Sequence, residues 1–546
     1  MEMSPASTRA PLLWGLLPLM GGILLEGLFP NFMGIPMLLG LASLCLIIGY
    51  CVRYKSLKRI SWIAAGVLLA IAYTSIRIPQ RPEEAKLPPR ESELSIKITK
   101  LYPRQDAPGR YIGRGRIVEA PIYVDYLQGT QVAFVLKGEA HAAHKGETWK
   151  VRGVIEPLPT HTKAFSYTNT LSHTGTYFRL YRGELLKCES KAGLISQGIN
   201  RAQNYLTEIL MRSRPETSSG IYTAMLLGKK GTLDPSMKEA FVQSGTFHIF
   251  AISGLHIGVI AGALFFVLRW LRLSSISGAL LGLGILLAYV IITGASASAM
   301  RAYLMASFLW GAHIALRRPA PFAALVASAL IALLMSPAQL WEPGFQLSYS
   351  VVTGILLYGL PLSKALKTKL NRLTYLVPKS SISQGRKALT WAFDRSLESA
   401  AITWSATLYS LPLIVAYFHI ISPGGIFLNL ILVPLASLTI VLGFFSIFFG
   451  LFFLGWISAG LNILASGLIT CLQGLALGTM KLHGLFWEAT LRGPAWAWIG
   501  LGSLILIILI QRKHRNKRPK YHYWLPPAAV CLWIAVAIAP QSWVAL

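Results

Sequence analysis

The sequence predicts a polytopic α-helical membrane protein with about 11–13 spans and a small extracytoplasmic β domain. The 546 residues are 54% hydrophobic and only 13% charged, too few charges to cover a soluble protein of this size. The apolar residues also form windows long enough to cross about 30 Å of hydrocarbon. There are 13 such windows: 11–28, 34–52, 60–78, 247–268, 276–294, 302–316, 320–336, 344–362, 400–420, 424–450, 453–479, 494–511 and 524–540.

The charge of the connecting loops predicts on which side of the membrane each loop lies. With residues 1–10 in the cytoplasm, five basic loops all fall on the inner side: 53–59, 269–272, 317–318, 364–399 and 512–520. They hold 22 Lys and Arg residues against two acids, so retention of basic loops inside accounts for +20 of the net charge of +29. Residues 79–246 then lie outside with 24 basic and 16 acidic residues, which suits an ordinary solvated surface or a polyanionic partner equally well.

The segment after the third window changes composition. Pro79 and Pro88-Pro89 make a stiff polar linker. Five short stretches then alternate apolar and polar residues as strands do: 93–101, 111–118, 130–137, 147–155 and 176–186. Five strands in about a hundred residues predict a small barrel of the five-stranded OB type.

Helices are predicted between this barrel and the main spans. Apolar residues recur at helical spacing over 193–213, which predicts an amphipathic helix on the membrane surface or against the bundle. A second helix is expected at 217–228, and Asp234-Pro235 is typical of the start of a third.

A run of polar residues and glycines opens the fourth window: Gly245-Thr-Phe-His248-Ile-Phe-Ala-Ile-Ser253-Gly254-Leu-His256-Ile-Gly258. Polar side chains in hydrocarbon cost free energy and usually face protein or a water-filled cavity, and glycine permits a helix break beside one. Each residue alone is better explained by a helix–helix contact, but together they predict the lining of a hydrated passage. The candidate lining residues are His248, Ser253, Gly254, His256, Gln346, Ser348 and Asn429.

Several further blocks carry a resemblance to a known family. They are Leu226-Leu227-Gly228, Leu233-Asp234, Glu239-Ala240-Phe241, Ser244-Gly245, Arg301-Ala-Tyr-Leu-Met305-Ala306, Ser336-Pro337, Gly344-Phe345-Gln346-Leu347-Ser348-Tyr349, Leu411-Pro412, Phe418 and Asn429-Leu-Ile-Leu-Val-Pro434. In this order, and with Ala164-Phe165-Ser166-Tyr167 and Leu171 in the outer domain, the chain resembles the ComEC-type competence protein family over roughly residues 30–450.

The resemblance implies an inner-membrane channel that imports single-stranded DNA during natural competence in bacteria. It implies N-terminal spans at 1–78, an OB-like domain at 79–190, linking helices at 191–246, a channel domain at 247–480 and C-terminal spans at 481–546. The implied partners are single-stranded DNA, the lipid bilayer, a periplasmic or surface DNA receptor, a separate nuclease and a cytoplasmic DNA translocase. The protein is expected in the bacterial plasma membrane, with a cytoplasmic N-terminus and with 79–246 outside.

Some family features are replaced in this chain. Family members often end in a metallo-β-lactamase-like domain, which we do not expect here, and His141-Ala-Ala-His144 lacks the acid that a hydrolytic metal site needs. We therefore expect no enzyme activity, no metal and no other cofactor. Lys229-Lys230 stands where the family usually has Asp-Arg, and Ser166 replaces an Asp.

A channel for a polyanion needs cations that contact the phosphates. A single strand also needs an outer surface on which its bases can stack. Arg301 is the candidate phosphate contact, and its alternative role is a structural ion pair with Glu342. Tyr111, Tyr123, Tyr126 and Phe134 are candidates for base stacking on the barrel, although we expect about half of them to pack in its core.

Two other functions stay open. The chain could transport another anionic polymer or a lipid, because the residues that line a pore do not identify the molecule that passes through it. Ala251-Ile-Ser253-Gly254 is also similar to the Gly-x-Ser-Gly of rhomboid-type intramembrane serine proteases, with His256 as the base, but the first glycine is missing.

Overall fold

The structure, a computed structural model, is mostly helical. It describes residues 10–30, 32–79, 81–82, 88–102, 109–138, 144–159, 164–212, 216–229, 233–250, 252–374, 384–480, 486–514, 522–539 and 544–545. By length and composition, six described helices can cross a membrane, and six more are apolar but shorter. This fits the predicted class, while the number of helices that cross stays a prediction.

The first three helices form a compact group. They are α1 (Leu13–Leu28), α2 (Ile35–Cys51) and α3 (Lys55–Arg77). Helices α1 and α3 run side by side, so closely that a Cβ on Gly22 would lie 2.4 Å from the Ala70 Cβ. Small residues allow this backbone approach, as is common between membrane helices.

A closed five-stranded barrel follows. Its strands are β1 (Arg90–Tyr102), β2 (Arg110–Glu119), β3 (Gln131–Lys137), β4 (Thr148–Pro157) and β5 (Thr176–Ser190). Their order is β1-β2-β3-β5-β4, with β3 and β5 parallel and the other pairs antiparallel. All five predicted strands are confirmed, because their alternating apolar residues turn inward around the fully buried Trp149.

A short helix, α4 (Tyr167–His173), lies between β4 and β5. Three helices follow the barrel in the chain: α5 (Leu194–Met211), α6 (Glu216–Leu227) and α7 (Pro235–Gln243). Helix α5 starts beside the barrel, where the Ser196 hydroxyl donates to the Lys145 carbonyl at 2.6 Å. Its 18 residues span about 27 Å and bring Ile209 against Gly450, at the far end of α15 (Pro423–Leu451). The amphipathic helix therefore packs against the bundle.

Helix α6 packs inside the bundle. Tyr222 and Leu226 are fully buried against α15 and α16 (Gly455–Met480), while the position of residues 191–246 outside the membrane stays a prediction. The Tyr222 hydroxyl lies 3.3 Å from the Asn462 amide oxygen of α16. A hydropathy window of about 17 residues does not register a 12-residue helix that pairs with an amphipathic one.

The remaining helices form the main bundle. They are α8 (Gly254–Trp270), α9 (Ser275–Ile292), α10 (Ala297–Ile314), α11 (Pro321–Met335), α12 (Pro343–Gly354), α13 (Leu360–Thr374), α14 (Gln384–Phe418), α17 (Ala495–His514) and α18 (Leu525–Ala537). A π-helical turn, Ile355–Gly359, joins α12 to α13. The predicted inner loop 364–399 is helical at both ends, and its residues 375–383, like 515–520 of the loop 512–520, lie outside the described residues.

A three-stranded sheet marks one end of the bundle. It joins β6 (Ile420–Ile421), β7 (Trp487–Glu488) and β8 (Val544–Ala545), which come from connections predicted on the outer side. The barrel lies at this end, since the ring of Phe165, which lies between β4 and β5, packs 4.9 Å from that of Tyr417, three residues before β6. The connections that were predicted on the outer side of the membrane thus lie at the same end of the bundle. The assignment of the opposite end to the cytoplasm stays a prediction.

Candidate functional site: a broken helix beside a buried arginine

The polar run that opens the fourth window is a helix break. Phe247–Phe250 form a 3₁₀ turn, and α8 starts only at Gly254. Gly245 has a φ of +69° and lies against Ser422 at the start of α15, where a Cβ would meet the Ser422 hydroxyl at 3.0 Å. His248 is exposed, with its Nδ1 3.2 Å from the Gly245 carbonyl. The break therefore presents polar groups beside α15.

Ser253 and His256 close the first turn of α8. The His256 Nδ1 lies 3.0 Å from the Ser253 hydroxyl and 3.3 Å from its backbone N–H, which donates to it. Because Nδ1 accepts that bond, the proton belongs on Nε2, and this buried atom has no partner among the described residues. The pair thus caps a helix, a structural task that gives no support to a protease dyad.

One face of α8 is open. Gly254, Gly258 and Gly262 follow one another at intervals of four residues, and a Cβ on Gly258 or Gly262 would meet no atom within 4 Å. A Cβ on Gly254 would meet only the Ala302 Cβ, at 3.8 Å. The break is thereby placed next to the start of α10.

Arg301, on the second turn of α10, is 2% exposed. Its Nη2 donates to the Gly344 carbonyl, and its guanidinium lies 5.7 Å from the centroid of the Phe345 ring and 5.3 Å from that of Tyr349. Nε and Nη1 are buried without a hydrogen-bond partner. No ion pair joins Arg301 to Glu342 or to another carboxylate within the described ranges, so the structural ion pair is not formed there.

Helix α12 supplies two of the predicted lining residues. Gln346 donates to the Leu340 carbonyl at 2.9 Å and accepts the hydroxyl of Tyr417 from α14, also at 2.9 Å. Ser348 is half-buried two residues further along α12. Asn429 lies instead on α15, with a buried, unpartnered amide oxygen. The predicted residues therefore form two groups, one at the helix break and one around Arg301 on α10 and α12.

The four barrel aromatics divide in two. Tyr111 and Phe134 pack on Trp149, with ring centroids 5.2 Å and 6.2 Å away, and both are buried. Neither offers a face on which a base could stack, because the core already covers them. Tyr123 is 55% exposed and Tyr126 is half-buried, so stacking stays a prediction for these two.

The barrel rests on the bundle through aromatic rings that sequence reasoning missed. Phe165, with a φ of +65°, lies 4.9 Å from Tyr417 and 5.7 Å from Trp498, measured between ring centroids. His173 stacks on Trp341 at 4.1 Å, and burial lowers the pKa of this imidazole, which keeps it neutral near pH 7. The resemblance included Phe165 but did not predict this contact.

Some of the cations on the barrel surface have carboxylate partners. Arg152 forms an ion pair with Glu93 and holds the pKa of that carboxyl below its usual range, and Arg179 pairs with Glu156 at 2.8 Å. No three His, Cys, Asp or Glu side chains of the described residues come together as a metal site. His141 of the motif considered for a metal lies outside those residues.

The model of the competence protein family matches residues 225–515, which is 291 of the 546 residues. The chain belongs to the competence protein family. The matched region contains the helix break, Arg301, Gln346 and Asn429, so both groups of candidate residues belong to the family domain.

This competence protein is also similar to the ComE operon protein 3 of Bacillus subtilis (strain 168). The two are 28% identical over 229 residues, 42% of this chain and 26% of the relative. The match thus spans about a quarter of that relative's length. No solved structure matches the chain.

Proposed function

We propose that this competence protein forms the membrane channel through which a single DNA strand enters the cytoplasm during natural transformation. Arg301 carries the proposal. It is a buried cation on a helix of the family domain, with two unpartnered N–H groups and no ion pair among the described residues. A buried charge without a counterion is costly, whereas a phosphate that accepts a hydrogen bond from one of the free donors would neutralise it.

The described arrangement is closed around this arginine. Phe345 and Tyr349 cover the guanidinium, so a strand reaches it only when α12 and α10 separate. The open face of α8, with Gly258 and Gly262, lies beside the start of α10 and offers the space toward which a passage can widen. His248, Ser253, Gln346, Ser348 and Asn429 then supply the polar lining that a hydrated strand needs.

The barrel is the proposed receiving surface. A closed five-stranded barrel with the order β1-β2-β3-β5-β4 and a parallel β3–β5 pair supports the OB type, which commonly binds single strands. Exposed Tyr123 offers a ring to a base. We place this domain outside and the N-terminus in the cytoplasm, because the basic loops gather at the opposite end.

The remaining tasks of uptake fall to other proteins in this proposal. A receptor delivers the DNA, a separate nuclease degrades the other strand, and a cytoplasmic translocase pulls the strand inward. The chain itself is proposed to act without enzymatic activity or a cofactor.

Deleting the gene in a transformable host tests the proposal. Labelled DNA should still bind at the cell surface but should no longer become protected in the cytoplasm, and the full chain supplied in trans should restore entry. Unchanged transformation would exclude DNA as the cargo and leave another anionic polymer or a lipid.

A further inference from the structure

A second basic site lies at the end of the bundle opposite the barrel. Helices α1 and α3 diverge there around a cavity of about 530 Å³, which is within the range of small-molecule sites. Its lining combines cations with indole rings: Trp14, Lys55, Lys58, Arg59, Trp62 and Ile63.

The walls of this cavity are held by helix packing. One turn deeper, α1 and α3 touch where a Cβ on Gly66 would lie 2.9 Å from Pro18. Trp62 packs over α2, with its Nε1 3.1 Å from the position of a Cβ on Gly49. Trp14, 63% exposed, forms the opposite wall. The opening is therefore bounded by the packed helices α1 and α3.

The charge of the cavity is uncompensated. Lys55, Lys58 and Arg59 occupy the first turns of α3, and no acid stands in its first turn. None of the three forms an ion pair with any carboxylate that the structure describes. Three neighbouring cations repel one another, and the positive end of the helix dipole adds to the repulsion. An anion in the cavity would relieve both effects.

The surroundings are apolar on the side toward the middle of the bundle. Leu17 is 62% exposed and Ile63 is 38% exposed, next to Pro18 and Gly66 where the helices touch. Tryptophan prefers the level of lipid head groups, and basic pockets between helices bind anionic head groups. The ligand chemistry is therefore a phosphate joined to hydrocarbon.

We propose that this cavity binds one anionic phospholipid. Lys55, Lys58 and Arg59 contact its phosphate, the two indoles flank the head group, and the acyl chains lie along Leu17 and Ile63. The site is independent of the proposed DNA path, which lies in other helices.

Titration of the full-length protein in detergent tests the site. Dioctanoyl phosphatidylglycerol should raise the melting temperature saturably, while dioctanoyl phosphatidylcholine and inorganic phosphate should not. A shift with phosphate alone would indicate an ion site without lipid. A shift with a single-stranded oligonucleotide that competes with the lipid would indicate a nucleic-acid surface. An equal shift with phosphatidylcholine would indicate solvation by any lipid. Each of these three results overturns the proposal.

A matched pair of variants locates the effect. The double variant K58Q/R59Q should weaken phosphatidylglycerol binding roughly 30-fold, from the loss of two cations near the head group. The double variant K364Q/K369Q removes two cations from α13, at the predicted inner end but outside the cavity, and should bind as the native chain does. Equal losses in both would overturn the site. If K58Q/R59Q fails to fold, the ligand comparison with the native chain still decides.

Discussion

The barrel and the family domain treat charge in opposite ways. On the barrel, Arg152 and Arg179 are exposed and each has a carboxylate partner. In the family domain, Arg301 is 2% exposed and has none among the described residues. Surface pairs contribute little to stability, whereas a buried cation without a carboxylate partner is costly and persists only with a reason. The basic surplus of the outer domain is therefore the weaker clue to a polyanion, and the single buried arginine is the stronger one.

The comparison is tested most strongly by replacing Arg301 with Gln. Transport of labelled DNA should fall about 100-fold, because a charge-assisted hydrogen bond to phosphate is lost. The amount of protein in the membrane should stay near normal, as measured by immunoblotting.

The matched control is Arg152→Gln on the barrel, where an exposed arginine loses only its surface partner. Its transport should stay within about twofold of the native level. Disappearance of the R301Q protein from the membrane would mean that this arginine is structural, and the contrast between the two regions would then fail.

The packing of α6 gives the next largest effect. A Cβ on Gly443 would lie 2.1 Å from the Leu226 Cδ1, so Gly443→Ala should lower the free energy of unfolding by about 1–3 kcal/mol. Gly467→Ala on α16 meets no atom within 4 Å and should leave stability unchanged or slightly higher. Thermal unfolding in detergent checks both, and equal effects would show that α6 is not held between these helices.

The contact between the two regions is tested by Phe165→Ala. Loss of the ring should loosen the barrel from Tyr417, which holds Gln346, and should reduce transport about tenfold, the equivalent of one lost aromatic contact. Tyr181→Ala removes an exposed barrel ring away from that contact and serves as the control. If both variants transport normally, barrel docking does not contribute to transport.

Low pH should slightly weaken a second contact between the barrel and the bundle, the stacking of His173 on Trp341. Burial against Trp341 lowers the pKa of His173, whereas an exposed histidine titrates near 6.5. As the pH falls below about 6.5, the undocked form binds the proton more readily, so docking loses free energy; above that pH no such loss occurs. Hydrogen exchange of residues 167–173 at pH 7.5 and 5.5, corrected for intrinsic rates, should therefore rise a few-fold in acid. The increase should vanish in His173→Phe, and its persistence there would exclude this histidine as the cause.

Most of the architecture follows from periodicity in the sequence. The barrel strands were predictable because alternate residues, such as Val132 and Phe134, point to one core. The apolar windows coincide with helices because apolar runs of this length are typical of helices that cross a membrane. The inward position of α5 and α6 was not predictable, since Tyr222 and Leu226 are buried by contacts with α15 and α16, more than 200 residues away in sequence.

The candidate site was only partly predictable. Arg301 and the break before Gly254 were recognisable, because charged and polar side chains such as Arg301, His248 and His256 are rare in a span. Sequence alone could not show that Arg301 lacks a carboxylate, that Ser253 and His256 form a cap, or that Tyr417 holds Gln346. Each of these depends on the distance between side chains that tertiary packing sets.

The central claim is that a strand passes along α8 and α12. It is tested most directly by arresting a DNA strand in transit, with a thiol-reactive group on its backbone and a bulky block at its trailing end. In a chain whose native cysteines are replaced by serine, Ser348→Cys and Gly258→Cys should crosslink to this strand. Leu280→Cys, 66% exposed on α9, should not. Crosslinking at position 280 as efficient as at 348 and 258, or an arrested strand that reaches neither of these two, would contradict the account.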